Sequence, residues 1–281
     1  MEFLNLNENQ KIAINHFKGP MMVLAGPGSG KTTIITYRIK SLIEKYNVHP
    51  EEILVITFTK AATEEMKNRF KKINKFYDKV NFNTFHSCFY RILRTHYKYT
   101  LENILKDDER RDNIKKIIYS QKIYSEKEDD LLSSIMLEFE HIKNEMIDIN
   151  YYNSSNIGTE EFRNIFNLYE KYKLENKRID FNDMVSMCYD LLINNNNILN
   201  FWRNKFKYIL IDEFQDINKI QYECTKLLLN NERNLFIVGD DDQSIYKFRG
   251  ARPEFLLKFP DGFKETKKVI LDKNYRSSDQ I

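Results

Sequence analysis

The sequence predicts an α/β fold in which a parallel sheet is flanked by helices and interrupted by an all-helical inserted subdomain. Two observations carry this reading. Short, near-continuous apolar runs recur at residues 21–25, 53–58, 80–85, 208–212, 235–239 and 268–272, and strands that lack alternation are buried on both faces. Most of these runs are followed by helix-like patterns, the rhythm of a parallel sheet with helical crossovers. From about residue 90 to 199 the rhythm stops, and successive helical patterns run on without a convincing strand.

In chain order, the run Met21, Met22, Val23, Leu24 opens into Ala25, Gly26, Pro27, Gly28, Ser29, Gly30, Lys31 and Thr32, and a helix-like stretch follows at 33–44. A strand, a Gly-rich turn and a helix in that order cradle a nucleoside triphosphate. The glycines let backbone N–H groups close around phosphates, Lys31 reaches the terminal phosphates, and Thr32 offers its hydroxyl to magnesium. Ala25 stands where this pattern usually begins with Gly, and its small side chain fits the turn. The loop therefore predicts ATP, or a close relative, with Mg2+. The next strand, at 53–58, precedes a helix at 60–72, and a third strand follows at 80–85. The insertion reads as helices at 107–123, 129–146, 159–175 and 181–193, with loops at 148–158 and 194–197.

The strand at 208–212 ends in the pair Asp212 and Glu213. A parallel sheet gathers ligands at the carboxyl ends of its strands, so Asp212 would sit beside the phosphate loop and hold magnesium directly or through water. Glu213 would orient and deprotonate the attacking water. An acid pair at a strand end is also a common helix start; its joint occurrence with the phosphate loop favours the catalytic reading. After a helix at 218–229, the strand at 235–239 leads to Gln243, whose amide can hydrogen-bond a terminal phosphate or its attacking water. Tyr246, Phe248 and Arg249 then combine two flat rings with a cation. That mixture suits stacking on unpaired bases and contact with backbone phosphate, and the same rings would equally serve a core. A helix at 253–258 and a strand at 268–272 complete the pattern.

Hydrophobic residues make up 42% of the 281 and charged residues 30%, the balance of an ordinary globular protein with ample core. No run approaches the ~18 apolar residues of a membrane span, and the N-terminus lacks a signal-peptide layout. Cys88, Cys188 and Cys224 are odd in number and widely spaced, as expected of reduced thiols in a cytoplasmic protein. A net charge of +3 is too small to argue for a polyanion. The distribution is uneven, with seven Lys/Arg against three acids over 60–79 and eight acids against two lysines over 125–150. A nucleic-acid face and a solvated helix surface account for such charges about equally well.

Taken together, these residues resemble the N-terminal ATP-binding portion of a superfamily 1 DNA helicase of the UvrD/Rep/PcrA type. Residues 6–10, ending in Gln10, resemble the adenine-reading Q motif, and residues 25–32 resemble motif I. Residues 56–66 and 83–87 resemble motifs Ia and Ib, and Asp180, Phe181, Asn182, Asp183 and Met184 resemble the short acidic signature late in the helical insertion. Residues 212–216 resemble motif II, 239–250 motif III, and 271–278 motif IV. The resemblance implies a RecA-like P-loop NTPase fold. It implies that Gln10 bonds the base edge, Tyr275 stacks on adenine and Arg276 contacts the γ-phosphate. It also implies that Phe58, Thr84, His86, Tyr246, Phe248 and Arg249 contact single-stranded DNA. Thr33 replaces a frequent Arg, Phe248 a frequent Trp, and Lys60 a frequent Asn.

The implied function is ATP-driven 3′-to-5′ translocation on single-stranded DNA with duplex unwinding, acting on single strands and DNA junctions in repair or replication. The implied domains are 1–89 and 200–281 as two parts of one RecA-like domain, with 90–199 as the helical insertion. Nothing resembling the later motifs follows Ile281, so a second RecA-like domain is expected elsewhere in a longer protein. Two alternatives stand beside this: the motor portion of an AddA- or RecB-like helicase-nuclease, and a nucleotide-switched nucleic-acid-binding module that does not unwind. A small-molecule P-loop kinase would leave motifs Ia, Ib and III without a purpose.

Overall fold

The computed structural model describes residues 6–76, 78–243 and 250–275. Six strands form one sheet: β1 (Met21–Ala25), β2 (Ile53–Thr57), β3 (Asn81–Thr84), β4 (Tyr208–Ile211), β5 (Leu235–Gly239) and β6 (Lys267–Leu271). Their order is β3-β2-β4-β5-β1-β6, and every pairing is parallel. This is the RecA-like α/β arrangement. The interior strands β2, β4 and β5 are buried along their whole length, whereas β6 at one edge alternates between exposed and buried positions. Continuous apolar runs and an alternating edge are what two-sided and one-sided burial require.

The helices, in chain order, are α1 (Glu8–Asn15), α2 (Lys31–Glu44), α3 (Lys60–Lys71), α4 (Phe85–Tyr97), α5 (Asp107–Ser120), α6 (Glu128–Glu145), α7 (Thr159–Glu175), α8 (Phe181–Asn194), α9 (Asn196–Lys205), α10 (Lys219–Leu228), α11 (Glu254–Leu257) and α12 (Phe259–Gly262). Contacts divide the chain into two compact units. The first comprises Met1–Cys88, Leu192–Ile217 and Thr225–Ile281; the second comprises Phe89–Leu191 and Asn218–Cys224.

The core of the first unit joins α1 and α2 to the sheet through Ala13, Ile14, Ile35, Ile39 and Leu42 against Val23, Val55, Leu210 and Phe236. Arg38, itself buried, fastens α2 by donating to the carbonyls of His16 and Ala13 and lying 4.5 Å from the centre of the Phe236 ring. Burial lowers its guanidinium pKa to about 9, and the group is still a cation at neutral pH.

Among the differences from the sequence reading, three arise because a side chain caps a helix. The strand at 80–85 stops at Thr84, since Thr84 and Ser87 exchange hydrogen bonds (2.8 and 3.2 Å) that start α4 at Phe85. The polar tract at 194–197, read as a loop, contains the start of α9: Asn195 accepts from the Ile198 N–H at 3.2 Å. A helix before β1 was not anticipated, and α1 is opened by a reciprocal box between Asn7 and Gln10. Side-chain oxygens that satisfy free N–H groups define such starts.

The core of the second unit is formed by α5, α6 and α7 through Ile114, Ile135, Phe139, Phe162 and Ile165. Beside it lies a buried ionic cluster at the start of α8. Asp180 and Asp183 cap the helix reciprocally (2.8 and 2.9 Å). Lys173, only 3% exposed, reaches Asp183 at 2.7 Å, Glu170 at 2.9 Å and Asp180 at 3.2 Å, and Lys143 pairs with Glu170 and Asp183. Burial disfavours the Asp180 carboxylate, but Lys143, Lys173 and Arg110 outweigh it and hold the group well below the usual carboxylate range. The acidic signature at 180–184 is thus an internal brace of the insertion.

Among the described residues no helix is long and apolar enough to cross a membrane, and all three cysteines are buried and outside any disulfide. Removing one member of a buried ion cluster leaves its partners uncompensated, at a cost of about 3–5 kcal/mol. Lys173→Met is therefore expected to lower stability by about that amount in urea denaturation. A loss below about 1 kcal/mol would mean that the cluster is solvated as cheaply as a surface pair.

Candidate nucleotide site

The parallel sheet sends the chain after each strand to one edge, and Lys31, Glu213 and Gln243 of the predicted catalytic residues meet there. Gly28 (φ 70°) and Gly30 (φ 93°) adopt left-handed backbone that side chains disfavour. Gly30 is the N-cap of α2 and supplies no side-chain cap, so the first N–H groups of α2 are left for an anion. A Cβ at Gly30 would meet the Gln10 amide nitrogen at 3.2 Å. Within the loop, Ser29 donates from its hydroxyl to the Gly26 carbonyl at 2.7 Å. Ala25 is the buried last residue of β1, and Pro27 follows in the turn.

One cavity of about 620 Å³ is lined by Gly28, Gly30, Lys31 and Thr32 from the loop, by Asp212 and Glu213 after β4, by Gln243 after β5 and by Tyr275 after β6. Phe58, half-buried after β2, lines the same cavity. The Lys31 ammonium donates to Glu213 Oε2 at 2.9 Å. Glu213 holds a left-handed backbone (φ 51°, ψ 48°), an uncommon conformation for a residue with a side chain and one found disproportionately at functional sites. Its N–H donates to Asp212 Oδ1 at 3.1 Å.

Asp212 is buried, and its carboxyl pKa is pushed up to about 7 by burial and then by Glu213, with Lys31 opposing. Asp216 behaves alike: burial, then Glu213, raises it to about 6, and its buried Oδ1 has no hydrogen-bond partner among the described residues. Three acids thus surround one lysine at the floor of the cavity, an arrangement that a divalent cation with a nucleotide would relieve. Thr32 and Asp212 could offer two protein oxygens, which would suit Mg2+, an ion that keeps several of its waters.

Tyr275 is tied to the phosphate loop, its N–H donating to the Gly28 carbonyl at 2.9 Å, and its hydroxyl accepts from Asn7 Nδ2 at 3.0 Å. Its ring is half-exposed, with the Lys273 ammonium 5.4 Å from its centre. Gln10 is buried; its Nε2 donates to the Ser29 carbonyl (3.1 Å) and its Oε1 accepts from the Asn7 N–H (3.0 Å).

Thr84 and His86 stand outside the cavity at the carboxyl end of β3, beside the end of β2, where Thr57 pairs in register with Thr84. Burial lowers the His86 pKa, so its ring is neutral at pH 7. Tyr246, Phe248, Arg249 and Arg276 lie outside the described residues. Sequence reasoning did not single out Asp216, Gln215 or Asp240, although the first two lie inside the motif at 212–216 and Asp240 lies inside the motif at 239–250. In the second unit a cavity of about 630 Å³ is lined mainly by apolar side chains, among them Ile142, Phe166 and Met187, and lacks a phosphate cradle.

Residues 6–264 match the family described as UvrD/REP helicase N-terminal domain. The chain is similar to a putative ATP-dependent DNA helicase, YjcD, of Bacillus subtilis, at 40% identity over 99% of this chain and 37% of the relative. A probable DNA helicase II homolog of Mycoplasma capricolum is 36% identical over 98% of this chain and 40% of its own length. The ATP-dependent DNA helicase PcrA of Staphylococcus epidermidis is 34% identical over 99% and 39%. The chain spans about two-fifths of the length of these curated relatives.

A proton on Asp212 competes with a cation there. With the carboxyl at about 7 instead of 3.8, the folded chain binds more protons than the unfolded one between those values. Its own stability therefore falls as pH rises through that window, and magnesium–nucleotide affinity rises. Titration of Mg-ATP is expected to show about tenfold weaker binding at pH 6 than at pH 8. Equal affinities would mean that Asp212 is ionised throughout.

Proposed function

The chain belongs to the UvrD/REP helicase N-terminal domain family, and on that premise we propose that it is the ATP-binding and hydrolysing portion of a 3′-to-5′ DNA helicase. The observation that carries the reading is the convergence of Lys31, Thr32, Asp212, Glu213, Gln243 and Tyr275 on one cavity at the carboxyl edge of the sheet. The phosphate loop and the bare start of α2 bind the phosphates, and Tyr275 with Gln10 takes the adenine. Thr32 and Asp212 would hold Mg2+, which would supply charge neutralisation on the phosphates. Lys31 moves from Glu213 to the terminal phosphates, and Glu213 accepts the proton of the attacking water. Gln243 reports the terminal phosphate, and Arg276 adds positive charge to it.

The DNA track comprises Phe58, Thr84 and His86 at the neighbouring ends of β2 and β3, with Tyr246, Phe248 and Arg249. Stacked rings grip any base, because every base offers a π-face. The functional parts are the RecA-like domain of 1–89 and 200–281 and the helical insertion of 90–199. A second RecA-like domain in the complete protein closes on ATP and opens after hydrolysis, so that grip and release alternate along single-stranded DNA and at junctions. The place of action is the cytoplasm, where bacterial DNA lies, in repair or replication.

In the full-length protein, Lys31→Ala is expected to abolish DNA-stimulated ATP hydrolysis. Glu213→Gln should retain nucleotide binding while slowing turnover by ~10²–10⁴-fold, the usual loss on removing a general base. Strand displacement with ATP and magnesium should fail in both variants. Unwinding by Lys31→Ala at the wild-type rate would remove the motor reading, and joint loss of binding and turnover in Glu213→Gln would make that residue structural. Phe58→Ala should weaken single-stranded DNA binding by ~1–3 kcal/mol with little dependence on sequence. Unchanged DNA affinity would confine Phe58 to the wall of the nucleotide cavity.

A further inference from the structure

Gln215 is 1% exposed, and both ends of its side chain are engaged. Its Nε2 donates to Glu213 Oε2 at 2.9 Å, and its Oε1 accepts from the Asp240 N–H at 3.1 Å. The amide has one workable orientation, because a flip would set oxygen against carboxylate and NH2 against N–H. The fit is close: a Cβ on Gly239 would come within 2.8 Å of Gln215 Oε1 and 2.9 Å of Leu256 Cδ2. Asp240 continues the connection, since its Oδ2 accepts from Gln243 Nε2 at 2.7 Å. A line of hydrogen bonds thus runs from Glu213 through Gln215 and Asp240 to Gln243.

Glu213 Oε2 receives two donors, Lys31 and Gln215, at 2.9 Å each. Among the described residues, its other oxygen accepts none. Holding one carboxylate oxygen leaves the second to accept from a water in the cavity that Glu213 lines. The phosphates of a nucleotide compete for Lys31, and once it turns to them Gln215 is the remaining donor to Oε2.

We propose that Gln215 is the positioning residue for hydrolysis: it keeps the Glu213 carboxylate oriented after Lys31 has moved to the phosphates, and it couples that orientation to Gln243 through Asp240. This rests on the reading of Glu213 as general base. Gln215 lines the same cavity, and the role assigned to it is to act through Glu213.

Two substitutions separate this role from mere support of the strand end. Gln215→Met has a similar volume and removes both hydrogen bonds. Gln215→Glu keeps an acceptor for the Asp240 N–H but presents a negative oxygen to Glu213. In the full-length protein both are expected to lower the kcat of DNA-stimulated ATP hydrolysis by about 10- to 10²-fold, the scale of a misplaced catalytic group. Nucleotide affinity should stay near wild type, while Gln215→Glu, which adds a buried carboxylate beside Glu213, should lower Tm as well as kcat. Adding Gln215→Met to Glu213→Gln should slow turnover no further, because residues that act as a unit are non-additive.

If Gln215→Glu recovers kcat together with Tm, or if both variants turn over normally while Glu213→Gln is slow, the positioning role is overturned and the general-base reading stands. If Glu213→Gln itself hydrolyses at the wild-type rate, the general-base reading falls and takes this role with it.

Discussion

Six strands that run in one direction deliver the chain to the same edge each time a strand ends, and everything chemical in this protein depends on that. β1 delivers the phosphate loop, β2 Phe58, β4 Asp212 and Glu213, β5 the segment with Gln243, and β6 Tyr275. An antiparallel sheet would scatter these residues over two edges. Parallel strands need long crossovers, so the residues that meet are far apart in sequence: Lys31 and Glu213 are separated by 182 positions. Buried strands on both faces are the physical condition for this convergence, which ties the apolar runs of the sequence directly to the site.

At that edge the electrostatics are deliberately unbalanced. Among the described residues, Asp212, Glu213 and Asp216 share one close cation, Lys31, and burial raises both aspartates. Such a floor is costly by itself and would become favourable if phosphates drew Lys31 away and a divalent cation took its place. The strained backbone at Glu213 and the double tether of Gln215 serve the same end. They fix the direction of one carboxylate beside Lys31.

The helical unit solves a different problem with similar means. Lys173, Lys143, Asp180, Asp183 and Glu170 form a buried cluster in which opposing charges are nearly matched. Reciprocal capping by the two aspartates satisfies the start of α8 at the same time. Here the charges have partners in place, so the cluster specifies how helices meet. In the nucleotide site, the incomplete pairing is what leaves room for a ligand.

The sequence by itself determined the local geometry: glycines at positions that need left-handed backbone, an apolar run for each strand, and an acid pair at one strand end. These features follow from a few neighbouring residues, and so they were legible, as was the helical character of the insertion. Helix starts were read less well, because a cap depends on one side chain turning back to a nearby N–H, as at Asn195 and Thr84. Only the tertiary structure decided which side chains touch. Tyr275 lies on Gly28, Phe58 faces the nucleotide cavity, the acidic signature braces helices, and Gln215 bridges Glu213 to Asp240. No pattern of spacing encodes such contacts, since each arises from a crossover that brings distant strand ends together and from the direction a buried side chain takes once packing leaves it a single rotamer.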